Sequence, residues 1–269
     1  MSKNKIAAVQ MISGPDIAAN LEQAERLIAQ AAAAGASLVA LPEYFLIIGG
    51  DDEVRLAARE HPDAGPVQKF LSDAAKRYGV WLVGGSLPLF GVDPTKMRNT
   101  CLVFDDSGRR VARYDKIHLF SLELGTESYE ESRTIEPGDK VVAFDSPLGR
   151  IGLAICYDLR FPELFRALGE VDLLVLPSAF TEVTGRAHWE LLLRARAIEN
   201  QCYLMAPAQG GKHPTGRMTH GNSMIVDPWG EMLARLDKGA GIITADIDPQ
   251  RIAQVRKSLP ALRHRFPGL

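Results

Sequence analysis

Short apolar runs recur along the chain at 6–10, 38–41, 80–84, 100–104, 151–156, 173–176, 203–206, 224–226 and 242–247, each of a length that suits a strand. Helical spacing lies between several of them. Leu21, Ala24, Ile28 and Ala31 share one face of a helix that Gly35 stops. Val67, Phe70, Leu71, Ala74 and Tyr78 do the same, with Pro66 at the start and Gly79 just past the end. A third helix is predicted over 188–200. Asp105-Asp106-Ser107-Gly108, Ser146-Pro147-Leu148-Gly149 and Asp227-Pro228-Trp229-Gly230 each separate two strand-like runs by a few turn-forming residues, which is a hairpin signal. A purely parallel sheet would need a long crossover at each of these places. The pattern predicts mixed sheets with helices packed outside them.

No Ser/Gly/Pro-rich linker, low-complexity stretch or short-period repeat divides the 269 residues, so residues 1–269 read as a single domain. Hydrophobic residues make up 46% and charged residues 24%, as in an ordinary globular chain, and one of this length needs no disulfide or metal staple to hold a core. Lysine and arginine number 31 against 33 aspartates and glutamates, a net charge of −2, so no positive field gathers phosphate and nucleic acid is not an expected partner. The longest uncharged run, 27–42, is too short and too weakly apolar to span a bilayer, and Met1 to Lys5 carry no visible signal peptide. Three cysteines with no C-x-x-C pair point to a reducing cytoplasm. Arg251, Arg256, Lys257, Arg263, His264 and Arg265 read as a solvated final helix and tail, with a subunit contact as the alternative.

Phosphate-loop, dinucleotide and zinc-protease patterns are absent, and Gly84-Gly85-Ser86-Leu87-Pro88 fails the G-x-S-x-G nucleophile pattern at its last position. The six histidines are scattered, so no metal site is expected. Cys101 and Cys202 lie within apolar runs and read as core filler. Cys156 differs. It closes Ile151-Gly152-Leu153-Ala154-Ile155-Cys156, and Tyr157-Asp158-Leu159-Arg160-Phe161-Pro162 follows, with Pro162 suited to a helix start. A side chain at such a junction can project into a cleft lined by strand ends. A thiol there needs a base or a cation to become a nucleophile. Glu43 ends the run 37–43 and Lys116 lies in 112–120. Each, taken singly, reads equally as a solvated loop acid or a paired surface lysine.

Taken together, Leu41-Pro42-Glu43, then Tyr114-Asp115-Lys116-Ile117-His118-Leu119-Phe120, then Gly152 to Leu164 resemble the Glu, Lys and Cys motifs of the nitrilase (carbon–nitrogen hydrolase) superfamily, in the same order and over essentially the whole chain. Lys116 to Phe120 and Glu131-Ser132 are similar to both its omega-amidases and its deaminated glutathione amidases, whereas 177–180, 187–190, 194–199 and 201–203 look closer to the deaminated glutathione amidases; Asn222 stands where that group usually shows His, in what reads as a later strand. The resemblance implies an α/β fold, a four-layer α-β-β-α sandwich with mixed sheets, that needs no metal or organic cofactor. It implies a homodimer or larger homo-oligomer acting on a small-molecule amide.

The same resemblance implies the roles. Cys156 is the nucleophile, Glu43 the general base and Lys116 the electrostatic partner, with Lys116 and the Tyr157 backbone N–H as oxyanion donors. Glu131 matches the position of the second carboxylate, with Glu130 as the alternative one residue away in the acidic segment Glu123, Glu127, Glu130, Glu131. Substrates of this branch carry a carboxylate, for which Arg160 is the candidate cation; pairing with Asp158 or Glu163 is its competing assignment. The expected reaction converts a primary amide to an acid and ammonia through a thioester, on deaminated glutathione first and 2-oxoglutaramate second. N-carbamoyl amino acid hydrolase, nitrilase and a non-catalytic binding protein of the same fold are the rivals.

Overall fold

Uninterrupted apolar runs belong to strands covered on both faces, and the computed structural model, which describes residues 4–49, 52–124 and 127–266, places them at the centre of two sheets. Met1 to Lys3, read as carrying no leader, lie outside the described residues. In chain order the elements are β1 (Lys5–Gln10), α1 (Ile17–Ala33), β2 (Leu38–Ala40), α2 (Asp52–Ala57), α3 (Pro66–Tyr78), β3 (Trp81–Val83), β4 (Leu87–Phe90), β5 (Met97–Phe104) and β6 (Arg110–Asp115). A small hairpin, β7 (Ser121–Leu124) with β8 (Glu127–Glu130), comes next. The second half holds β9 (Val142–Ser146), β10 (Gly149–Leu153), α4 (Pro162–Ala167), β11 (Leu173–Val175), α5 (Glu182–Asn200), β12 (Tyr203–Ala206), β13 (Ser223–Val226), β14 (Met232–Leu236), β15 (Gly241–Asp246) and α6 (Pro249–Ser258).

The first sheet runs β15-β1-β2-β3-β5-β4, with β6 on the other edge of β5. Its centre, β1-β2-β3, is parallel, and β15 and β5 join antiparallel. The second sheet runs β14-β13-β12-β11-β10-β9, parallel across β10-β11-β12 and antiparallel outside. All three predicted hairpins are present, joining β5 to β6, β9 to β10 and β13 to β14.

Period-two alternation divides the side chains of the first sheet. Ile6, Ala8, Leu38, Ala40, Val83, Cys101 and Val103 face the second sheet, whereas Ala7, Val9, Val39, Leu82 and Leu102 pack on α1 and α3 through Ala24, Leu27, Ile28, Leu71 and Ala74. The outer face of the second sheet is covered by α4 and α5 through Phe165, Trp189, Leu193 and Ala197. These are the four layers of an α-β-β-α sandwich with mixed sheets.

Helix ends follow local chemistry. Asp16 accepts a hydrogen bond from the Ala19 N–H, and Gly79 closes α3 in the left-handed conformation at φ 61. The helix predicted over 188–200 begins earlier, at Glu182, because the Thr181 side chain caps it by accepting from the Thr184 N–H. The apolar run 151–156 is strand only to Leu153, and Asn222 precedes β13 rather than lying in it. Its φ of 57 is a conformation that Asn tolerates better than most residues. The C-terminal charges are not simply solvated: Arg251 pairs with Asp227, and Arg256 reaches Asp172 and the Val171 carbonyl.

Candidate active site

Three segments leave their strands on the same side and converge. Glu43 follows β2, Lys116 directly follows β6, and Cys156 follows β10. In open α/β sheets, the ends of the strands are where a cleft forms.

Glu43 is 1% exposed. Its Oε1 accepts from Lys116 Nζ and from Asn99 Nδ2, each at 2.9 Å, and its carbonyl accepts from Nε2 of Gln209, in the segment after β12, at 3.1 Å. Gly85 makes this loop possible. It adopts φ 59, and a Cβ there would stand 2.3 Å from the Pro42 carbonyl. Ser86 Oγ then accepts from the Tyr44 N–H. The Gly84-Gly85-Ser86 segment, which fails as a nucleophile motif, therefore seats the loop that carries Glu43.

Lys116 is also 1% exposed. Its backbone N–H extends the β5–β6 ladder by donating to the Asn99 carbonyl, so Asn99 orients both Lys116 and Glu43. Its ammonium donates to both oxygens of Glu131, at 3.0 and 2.8 Å. Glu131 accepts in addition from Tyr44 Oη at 2.6 Å and the Phe120 N–H at 2.7 Å. The Glu130 carboxylate accepts from the Ser132 hydroxyl, and it is the Glu131 carboxylate that meets Lys116.

Cys156 opens a turn of 3₁₀ helix, Cys156–Arg160, and has φ 49. It is 8% exposed, its N–H donates to the Pro177 carbonyl, and its side chain lines the same cleft as Glu43. Only four non-glycine residues among those described have positive φ, and two of them, Tyr44 and Cys156, are here, where strained backbone commonly accompanies function. The turn is held by Asp158, fully buried, whose carboxylate accepts from the Ile155 N–H, Tyr114 Oη, the His118 N–H and the His118 ring. One carboxylate thus ties the residue before Cys156 to residues on both sides of Lys116.

The electrostatics divide the two carboxylates. Burial pushes Glu43 above the usual carboxylate range, against the pull of Lys116 and with the help of Glu131. Burial also acts upward on Glu131, but Lys116 and the hydrogen bonds it accepts hold it below that range. Burial alone would lower Lys116, yet Glu131 and Glu43 raise it well above its ordinary value, so it stays charged. Burial and the Glu43 charge raise Cys156, so the resting sulfur is a thiol. Burial raises Cys101 and Cys202 too, the latter to about 12, but neither is among the residues lining the cleft that holds Cys156.

Glu43, Tyr44, Lys116, Phe120, Glu131, Cys156, Tyr157, Arg160, Phe180 and Arg217 are among the residues lining one cleft of about 330 Å³, its open mouth included. All six sequence-selected residues are therefore brought together. Arg160 pairs with neither Asp158 nor Glu163; its Nη1 lies 3.2 Å from His188 Nδ1, and its guanidinium sits over Tyr157 and Phe180. Sequence reasoning did not single out Tyr44, Asn99, Asp158 or Arg217 for the site. Tyr44 adjoins Glu43 and Asp158 lies inside the Cys156 motif, but Asn99 and Arg217 carry no local signal.

The carbon-nitrogen hydrolase family model matches residues 5–257. The chain is 43% identical over 265 residues to a deaminated glutathione amidase of Synechocystis sp., covering 96% of this chain and 97% of that one. It is 40% identical over 272 residues to an omega-amidase of Xenopus laevis, covering 100% and 97%. The crystal structure of Saccharomyces cerevisiae Nit3, described as a member of branch 10 of the nitrilase superfamily, superposes with a TM-score of 0.86 at 34% identity, over 97% of this chain and 96% of that one.

Proposed function

The chain belongs to the carbon–nitrogen hydrolase family, and from that premise we propose that, as a single domain, it hydrolyses a small carboxylate-bearing amide through a thioester on Cys156. The observation that supports this most directly is the single cleft that holds Cys156 together with Glu43, itself ion-paired with a buried Lys116.

Glu43, basic enough to accept a proton because burial has raised it, takes the thiol proton as sulfur attacks the amide carbon. The carbonyl oxygen becomes an oxyanion held by Lys116 Nζ and the Tyr157 backbone N–H. Protonated Glu43 then gives its proton to the departing nitrogen, leaving the acyl group on sulfur. The nitrogen leaves as ammonia from a primary amide such as 2-oxoglutaramate, and as a peptide amine from deaminated glutathione, whose amide nitrogen is substituted. Glu43 next removes a proton from water, which attacks the thioester; the C–S bond breaks, Glu43 returns that proton to the Cys156 sulfur and the acid leaves. Glu131 holds Lys116 in place through both steps, and Arg160 binds the substrate carboxylate.

The relatives support deaminated glutathione as the first substrate and 2-oxoglutaramate as the second. A cytoplasmic setting suits three free, buried cysteines. No helix among the described residues is long and apolar enough to cross a membrane. A homodimer is supported by exposed Val183, Leu191 and Ile198 of α5, beside exposed Trp229 and Leu233 of the β13–β14 hairpin, which docks on α5 where Arg194 donates to the Gly230 carbonyl.

The test is a kinetic comparison of deaminated glutathione, 2-oxoglutaramate and simple aliphatic amides, following the acid product as well as ammonia. The expected order of kcat/KM is the order just given. Carbon dioxide release would indicate a carbamoylase, and turnover of nitriles a nitrilase. No product from any amide, or full activity in Cys156→Ala, would sink the enzymatic reading.

A further inference from the structure

Arg217 lines the same cleft as Arg160 but reaches it from the segment between β12 and β13. That segment is pinned from inside. His213, 1% exposed, meets the Ser13 carbonyl and Thr219 Oγ1 through its two ring nitrogens, each at 2.7 Å, and its N–H donates to the Arg217 carbonyl at 2.9 Å. The Arg217 guanidinium lies over the Tyr129 ring, 5.4 Å from its centroid. Its Nε is buried without a hydrogen-bond partner.

The aromatic rings connect the two arginines. Tyr129 packs on Phe120 at 5.5 Å, Phe120 meets Tyr157 edge-on at 5.2 Å, and Arg160 sits over Tyr157 at 5.7 Å. Tyr157 and Phe120 line the cleft and Tyr129 packs behind Phe120, so a row of three rings joins the two guanidiniums, one at each end. A partly dehydrated guanidinium with an unmet donor favours an anionic ligand, and carboxylate offers it the matching bidentate geometry. An amide with a single carboxylate occupies one of these ends. We propose that Arg217 is a second carboxylate subsite, selecting an amide that carries one carboxylate on the acyl side of the scissile C–N bond and another on the amine side.

This assignment rests on the amidase reading above, with Arg160 as the first subsite. A matched pair of substrates tests it: deaminated glutathione, and the same molecule with its glycine carboxylate blocked as the N-methylamide, both followed by release of 2-oxoglutarate. The wild type should prefer the dianion by roughly 10- to 100-fold in kcat/KM, chiefly through KM. Arg217→Gln should collapse that preference at least about tenfold, whereas Arg160→Gln should depress both substrates together. Should Arg217→Gln unfold, Arg217→Lys carries the same test, because lysine keeps the charge without the fork and the preference falls but persists. An unchanged preference in the Arg217 variants, or none in the wild type, overturns the second subsite. Absence of turnover on both substrates overturns the second subsite if 2-oxoglutaramate is still hydrolysed, and removes the amidase reading itself if no amide is.

Discussion

Both carboxylate oxygens of Glu131 accept from the single ammonium of Lys116, at 3.0 and 2.8 Å, while Glu43 receives only one bond from it. That asymmetry separates two buried acids of identical chemistry. The doubly bonded one is held below the usual carboxylate range, and the other, raised by burial, is the one proposed to exchange a proton with sulfur.

Glu131→Gln should retain much of the shape of the site but lose the charge. The Glu131 charge raises Glu43, and without it Lys116 acts on Glu43 alone, so both changes lower the Glu43 pKa. Glu43 works as a base when deprotonated, so the acidic limb of kcat/KM should move to lower pH, with kcat reduced roughly 10²-fold as Lys116 loses its anchor. A limb that stays in place or moves upward would refute the division of roles.

Cys156 should rest as a thiol rather than as a thiolate ion pair, since burial and Glu43 raise it. The ultraviolet difference spectrum between wild type and Cys156→Ala should therefore show no thiolate band at neutral pH. Cys156→Ala should lose on the order of 10⁴-fold in turnover, while Cys101→Ala and Cys202→Ala should alter stability only. A strong thiolate band would mean that the proton has already been transferred in the free enzyme.

Arg160→Lys should raise KM for carboxylate-bearing amides more than for neutral ones, because lysine replaces the fork with a point charge. Equal loss on both classes would return Arg160 to a structural role with His188.

Asp158→Asn should destabilise the fold by about 2–4 kcal/mol in urea titrations, because an amide cannot accept on both sides from Ile155, Tyr114 and His118. Tyr114→Phe, which removes a single donor, should cost about 1 kcal/mol. Comparable costs for the two would show that Asp158 is not the hub of the turn.

Gly85→Ala should reduce kcat about tenfold or more, since the added Cβ meets the Pro42 carbonyl and displaces the loop carrying Glu43. Wild-type kcat in a folded Gly85→Ala protein would detach that glycine from the site.

The central strands, two of the helices and the three hairpins were legible in the sequence because each is set by local patterning: uninterrupted apolar runs, helical spacing between Pro66 and Gly79, and turn residues at fixed positions. Glu43, Lys116 and Cys156 were legible as an ordered set of motifs. Their burial was not, since a carboxylate after an apolar run looks the same whether it meets water or Lys116. The start of α5 was misplaced because its cap, Thr181, lies ahead of the apolar period.

The choice of Glu131 over Glu130, the release of Arg160 from its acidic neighbours and the arrival of Asn99 and Arg217 depended on long-range geometry. Hydrogen bonds and desolvation act over a few ångströms in space, and such distant positions come within that range only when the strands of the first sheet pair and that sheet packs against the second.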